Sequence, residues 1–234
     1  MVRITTRQAL GRLRTLRRRR ESYIGPWLPE PLLTAPDVAE DVELADSVSM
    51  EMLLVLETLA PTERAVFVLR EVFDLGYEEI AQAVGKSPAA VRQIAHRARA
   101  HVAARRPRGV ASPAEIRGVL EAFWRAVEMG DVQALLDLLA PDVVFLGDGG
   151  GVVRATLEPV VGAGRVARLL GRIAAAVSFQ PAQVNGHPAL IIRLNGGIDT
   201  VMAVRIDDGL VTGPYAVRNP EKLSRVERET IVSR

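Results

Sequence analysis

The tetrapeptide Gly85-Lys86-Ser87-Pro88 leaves the backbone one course. Glycine accepts the left-handed conformation that ends a helix. Serine is a good N-cap, and proline is favoured in the first helical turn. One helix must therefore stop at Gly85 and another must start at Ser87. On both sides apolar residues recur at helical spacing: Ile80, Ala81 and Val84 before the turn, Val91, Ala95, Ala98 and Val102 after it. The pattern predicts helices over 78–84 and from Pro88 to about residue 104. Ala81 and Ala83 are small enough to let the two pack closely, as a helix-turn-helix requires. Two further helices are expected upstream, over 47–59 and 63–73, separated by Pro61, with Thr62 as the cap of the second. The second would bury Val66, Phe67, Leu69 and Val72.

Net charge is only +2, but the charges are segregated. Residues 1–26 hold eight arginines and one acid, residues 27–85 two bases and thirteen acids, and residues 86–110 seven bases and no acid. Such blocks speak of partners rather than of fold. On the second helix of the pair Arg92, Gln93, His96, Arg97 and Arg99 lie off the apolar seam. Arginine serves phosphates and guanine edges, and glutamine can read adenine. Lys86, Ser87, Ala89 and Ala90 surround the helix N-terminus, whose free amides suit phosphate. These nine residues are the candidate DNA-binding set. Glu78 and Glu79, on the preceding helix, are expected to face away from DNA. The bland alternative is a solvated amphipathic hairpin.

Around this element the chain changes character. Residues 3–21 predict an arginine-rich helix with Leu10, Leu13 and Leu16 on one stripe. Gly25-Pro26-Trp27-Leu28-Pro29-Glu30-Pro31 forbids a helix and favours an extended segment. An acidic stretch over 36–46 continues it. Past Pro107, Gly109 and Pro113, helices are expected at 113–129, 132–139 and about 162–176. Strands are expected at 142–147, 152–156, 178–184, 188–195, 198–206 and 209–217, with turns at Asn185-Gly186, Asn195-Gly196-Gly197 and Asp207-Asp208-Gly209. The fold class is an all-helical helix-turn-helix domain followed by an α+β domain with a curved antiparallel sheet. The divisions fall at 1–25 (basic helix), 26–46 (linker), 47–107 (helix-turn-helix domain) and 108–234 (α+β domain). Cysteine is absent and histidine occurs three times, so disulfides, thiolate metal sites and a structural zinc are excluded. No apolar run reaches the ~18 residues of a membrane span. No signal peptide is visible, and a cytoplasmic location is expected.

Leu59-Ala60-Pro61-Thr62-Glu63-Arg64-Ala65-Val66-Phe67-Val68-Leu69-Arg70-Glu71, then Tyr77-Glu78-Glu79-Ile80-Ala81 and Ser87 to Arg99, resemble region four of bacterial sigma factors, most of all the extracytoplasmic-function class. The resemblance covers about residues 47–104. It implies recognition of the promoter minus-35 element on RNA polymerase, with promoter DNA and core polymerase as partners. Trp27-Leu28-Pro29-Glu30-Pro31 resembles the linker motif of a subgroup that carries a fused SnoaL-like C-terminal domain. Asp148-Gly149-Gly150-Gly151 and Asn219-Pro220-Glu221-Lys222-Leu223 resemble that subgroup's other two signatures. The resemblance implies a cone-shaped domain that regulates the sigma factor in cis, the three motifs being interdomain and regulatory contacts. Trp27 and its prolines are expected to dock near the other two motifs. Of region two only the basic helix 3–21 resembles anything, its tail. A start further upstream, a cut chain and a natural truncation all fit.

SnoaL-like relatives include isomerases and cyclases. Asp148, His187, Asp199 and Tyr215 are the residues such chemistry could use, but nothing in the sequence makes them converge, and a shared fold does not confer catalysis. No enzymatic activity, metal or cofactor is expected. A small-molecule ligand in the C-terminal domain remains an expectation. The competing readings are a ligand-binding or isomerase-like domain with an attached DNA-binding module, and a helix-turn-helix repressor outside the sigma class.

Overall fold

The structure, a computed structural model, describes residues 2–34, 49–104, 113–173, 178–224 and 226. The acidic stretch 36–46 and the boundary residues Pro107 and Gly109 lie outside these. The chain forms two compact units, one with Met1–Ser22 and Asp46–Arg106, the other with Tyr23–Ala45 and Pro107–Val232.

The first unit is helical: α1 (Val2–Glu21), α2 (Met50–Glu57), α3 (Pro61–Glu71), α4 (Tyr77–Val84) and α5 (Pro88–Ala103). Ser49 caps α2 by accepting a bond from the Met52 amide. Pro61 does not merely end α2. It occupies the first position of α3, where a missing N–H costs nothing. The expected cap at Thr62 is therefore displaced to Ala60, whose amide is taken by Glu63 Oε2 at 3.2 Å. Gly85 sits at φ +69°, the left-handed cap, and Ser87 Oγ accepts from the Ala90 amide at 3.2 Å. The seam of α5 buries Val91, Ala95, Ala98 and Val102, and Ile94 with them. It divides between two clusters. Val91, Ile94 and Ala95 pack with Val66, Ile80 and Ala81, while Ala98 and Val102 pack with Met52, Leu56, Leu59 and Phe67. α1 lies on α3 and α4 with Thr6 and Leu10 buried.

The second unit carries α6 (Pro113–Met129), α7 (Val132–Leu138), α8 (Ala163–Leu170), α9 (Pro220–Leu223) and one sheet: β1 (Val144–Asp148), β2 (Val160–Val161), β3 (Ser178–Val184), β4 (His187–Leu194), β5 (Gly197–Asp207) and β6 (Leu210–Val217). The spatial order is β2-β1-β6-β5-β4-β3, with β1 parallel to β6 and every other pair antiparallel. Three two-residue turns build the meander. Asn185-Gly186, Asn195-Gly196 and Asp208-Gly209 all have positive φ at both positions, as a tight hairpin of the primed type demands. Bulges between Ile192 and Arg193 and between Arg205 and Ile206 bend the sheet. Its inner face packs on α6, α7 and α8 through Phe123, Val127, Leu135, Leu170, Ile192 and Met202. The expected strand 152–156 is absent. Gly150 and Gly151 turn the chain at φ +63° and +73°, residues 149–159 form no strand, and β1 pairs with β2 instead.

Candidate functional site

Two groups of candidate residues occupy two places, one in each unit. On α5 the face opposite the buried seam presents Ala89, Gln93, His96 and Ala100, all exposed. Arg97 is exposed on one flank, Arg92 and Arg99 on the other, while Lys86 and Ser87 are exposed at the N-terminal turn and Ala90 is half-buried there. The nine candidates therefore share one end and one outer surface of a capped helix.

The arginines differ in their commitments. Arg92 Nη2 donates to Glu78 Oε1 at 3.1 Å. Arg99 Nε donates to Glu71 Oε1 at 2.9 Å, and its Nη2 donates to the Tyr77 hydroxyl at 2.7 Å. These two acceptors hold the Arg99 guanidinium above its ordinary pKa. The Tyr77 ring also lies 5.1 Å from the Arg70 guanidinium carbon and 5.7 Å from that of Arg92. Glu78, expected from the sequence to face away from DNA, pairs with Arg92. At the start of α4 it reaches across to α5, because an exposed carboxylate near an arginine flank lowers its energy by pairing. Tyr77 and Glu71 were missed altogether. Their signal was present only as a tyrosine among acids directly ahead of the helix-turn-helix.

In the second unit the three motifs meet at Asp148, the last residue of β1, which is fully buried. Its Oδ1 accepts from the Tyr23 hydroxyl and from the Gly150 amide at 3.1 Å. Its Oδ2 accepts from the Leu28 amide at 2.9 Å and from Lys222 Nζ at 2.6 Å. Its backbone carbonyl accepts from the amides of Arg218 and Asn219. Lys222 also donates to the Leu28 carbonyl at 2.6 Å. Its ammonium lies 3.4 Å from the centre of the Trp27 ring and 4.8 Å from that of Tyr23, with the two rings edge to face. A cation so placed gains from both rings while the Asp148 carboxylate meets its charge.

Asn219 works at both ends. Its Oδ1 caps α9 on the Glu221 amide, and its Nδ2 donates to Tyr23 at 2.8 Å. Leu28 is completely buried and is the deepest residue of its motif; Trp27 is half-buried over Lys222. Pro29 and Pro31 are buried, and Glu30 and Gly150 half-buried. Gly149 and Leu223 are buried as well, whereas Gly151, Pro220 and Glu221 are exposed. Burial and the Asp148 bond push the Tyr23 phenol above its ordinary range, so it stays a donor. Tyr23 was not among the expected residues, because it lies three residues ahead of the proline-rich motif.

The same segment continues as an added edge of the sheet. Leu33 bridges antiparallel to Val184. The Asn185 amide donates to the Leu32 carbonyl at 2.8 Å, and the Leu32 amide to Asn185 Oδ1 at 3.1 Å. The Gly186 amide donates to Thr34 Oγ1 at 3.0 Å. From the sequence Asn185 reads only as a turn residue.

The four residues considered for chemistry have other partners. Asp148 belongs to the motif cluster. Asp199 takes two bonds from Arg218, at 2.7 and 3.1 Å, and Arg218 also donates to the Arg154 carbonyl. Burial opposes ionisation of Asp199, but Arg218 and Thr200 together hold its carboxyl below the usual range. His187 opens β4 opposite Val184, and Tyr215 lies on β6 opposite Ala203. Among the described residues no group of His, Cys, Asp or Glu is placed to hold a metal ion, and no helix is long and apolar enough to cross a membrane.

Comparison with known proteins agrees with this anatomy. Residues 49–102 match the family described as Sigma-70, region 4. The chain is 33% identical over 245 residues to the ECF RNA polymerase sigma factor SigJ of Mycobacterium tuberculosis (strain ATCC 25618 / H37Rv), spanning 94% of this chain and 76% of that one. It is 35% identical over 234 residues to the probable ECF RNA polymerase sigma factor SigI of Mycobacterium tuberculosis (strain CDC 1551 / Oshkosh), spanning 97% and 78%. The crystal structure of the SigJ protein superposes with a TM-score of 0.70 at 32% identity, over 88% of this chain and 76% of that one.

Proposed function

Because the chain belongs to the extracytoplasmic-function sigma factors of RNA polymerase, we propose that Lys86, Ser87, Ala89, Ala90, Arg92, Gln93, His96, Arg97 and Arg99 form its minus-35 reading surface. As a sigma factor it recognises promoter DNA, partners core RNA polymerase and directs initiation; it is not an enzyme. The observation that carries the residue assignment is the α5 surface. Gln93 and His96 are exposed opposite the buried seam, on a helix whose N-terminus is capped by Ser87. Amides at that end suit a phosphate, and the outer residues reach base edges.

The test is selection by the full chain, at low ionic strength, from duplexes with a randomised window. Gln93→Ala is expected to relax the selected sequence at one position, a loss of about 1–3 kcal/mol of discrimination there. Arg97→Ala is expected to weaken all duplexes alike and to flatten the salt slope by about 0.9. A wild-type chain that binds no duplex at low salt sinks the assignment.

The second unit, an α+β domain of SnoaL-like type, regulates the sigma factor in cis under the same proposal. Support comes from the chain between α1 and α2. Residues 23–34 are held within the second unit by Asp148, Lys222, Asn219 and Asn185, so the state of that unit governs a segment attached directly to α1. The small-molecule ligand belongs to this proposal too. A groove of about 540 Å³ is lined by Arg117, Leu120, Glu121, Trp124, Gln183 and Ala189. Gln183, one of these lining residues, has a buried Oε1 with no hydrogen-bond partner among the described residues. A neutral molecule with an apolar body and one donor fits. Screening such compounds by Trp124 fluorescence checks it, with Trp124→Phe as the blank; a signal unaffected by Gln183→Leu counts against this site.

A further inference from the structure

Two cationic side chains on the outer surface of α5, Arg92 and Arg99, are already engaged. Arg92 and Arg99 stand seven residues apart, two turns of α5, and so share one flank. Glu78 meets the first and Glu71 the second, at 3.1 and 2.9 Å. Tyr77 lies between them, its ring towards Arg92 and its hydroxyl on Arg99. Arg70, the third cation at this ring, is held by the Leu75 carbonyl and by Asp74. The acids come from α3 and α4, the elements against which α5 is packed. The arrangement therefore travels with the helix rather than with a mobile loop.

We propose that Glu71, Tyr77 and Glu78 are specificity-determining residues, which hold Arg92 and Arg99 in a charge-compensated pose and so suppress binding to duplex of the wrong sequence. The inference rests on the reading of α5 as the promoter-facing helix. Non-specific binding is carried by phosphate neutralisation and counterion release. An arginine paired with a carboxylate contributes little to either. To reach a phosphate it must leave its acid, and the acid then stands uncompensated beside the duplex. A cognate site offsets that loss, because Gln93, His96 and the helix N-terminus dock at the same time. A random site does not. Tyr77 adds direction: with its hydroxyl on Nη2 and Glu71 on Nε, Arg99 is left few rotamers.

The test uses the full chain and two probes, a random-sequence duplex and the duplex that the wild type itself enriches from a randomised pool. Glu71→Gln/Glu78→Gln keeps side-chain shape and removes both carboxylates. Its affinity for the random duplex is expected to rise by up to about fivefold for each freed pair, the ceiling set by exposed ion pairs. Its salt slope should steepen by about 1.8, and its preference for the selected duplex should fall. Tyr77→Phe, which keeps the ring and loses the hydroxyl, should lose preference without the same gain in slope.

Glu128→Gln/Asp142→Asn alters net charge equally through two exposed acids of the second unit and serves as the control. An unchanged slope in the first variant, an equal rise for both probes, or a control that behaves the same way overturns the inference. A wild type that enriches no sequence overturns the reading of α5, and the inference with it. A wild type that enriches a sequence which the variants enrich equally overturns the inference alone.

Discussion

Asp148→Ala is expected to destabilise the second unit by about 3–5 kcal/mol, the loss that follows when one partner of a buried ion pair is removed. Lys222 is 7% exposed, and Asp148 is the carboxylate bonded to it in the described structure. Alanine would also orphan the Leu28 amide and the Tyr23 hydroxyl, both of which donate to that carboxylate. Unsatisfied buried donors cost about 1–3 kcal/mol each, although water entering the gap recovers part of this. Urea unfolding followed through tryptophan fluorescence, with exchange protection at Leu28 and Leu32, measures the effect. The double variant Asp148→Ala/Lys222→Met removes the stranded charge as well. It should be more stable than the single variant, since replacing both partners of a buried pair is far milder than breaking it. A single-variant loss below about 1 kcal/mol would mean that the ion pair is incidental, and that apolar burial of Leu28 holds the segment by itself.

Local chemistry made half of this molecule readable. The Gly85 and Ser87 caps, the seam of α5 and the three Asn-Gly or Asp-Gly hairpins are each decided within a few residues, and the sequence displays them. The motif cluster is another matter. Its bonds join residues as far apart as Tyr23 and Asn219 or Leu28 and Asp148, and no periodicity reports a contact across such separations. Resemblance named the three motifs but not what joins them. The chemical hint lay in Lys222, one of only two lysines in a chain whose other 28 bases are arginine. There a compact ammonium meets a carboxylate, a carbonyl and two rings at once. Residues 152–156 misled for the opposite reason. Their β-branched valines suggested a strand, yet two glycines in left-handed conformation just before them fix a turn. The pairing of Glu71 and Glu78 with arginines was illegible because charge along the sequence gives no direction to a side chain.

Gly150→Ala should release the linker, and Gly209→Ala should not. Both glycines have positive φ, +63° and +76°, so alanine at either site costs about 1–2 kcal/mol of backbone strain. Their surroundings differ. A Cβ on Gly209 meets nothing within 4 Å. A Cβ on Gly150 would overlap the Asn219 carboxamide, with Cγ at 2.6 Å, and would press on the Tyr23 hydroxyl at 3.1 Å. Asn219 must then move, which removes the cap of α9, a loss of about 1 kcal/mol, and the bond to Tyr23. The expected total is about 3 kcal/mol for Gly150→Ala, against about 1–2 for Gly209→Ala. Exchange protection of residues 26–34 should fall only in the first. Transcription by core polymerase reconstituted with each variant separates folding from regulation. If the second unit acts in cis through the docked segment, promoter output changes with Gly150→Ala and stays at the wild-type level with Gly209→Ala. Equal output from the two, at equal occupancy of polymerase, would remove the segment from the regulatory path and leave the motif cluster a purely structural fastening.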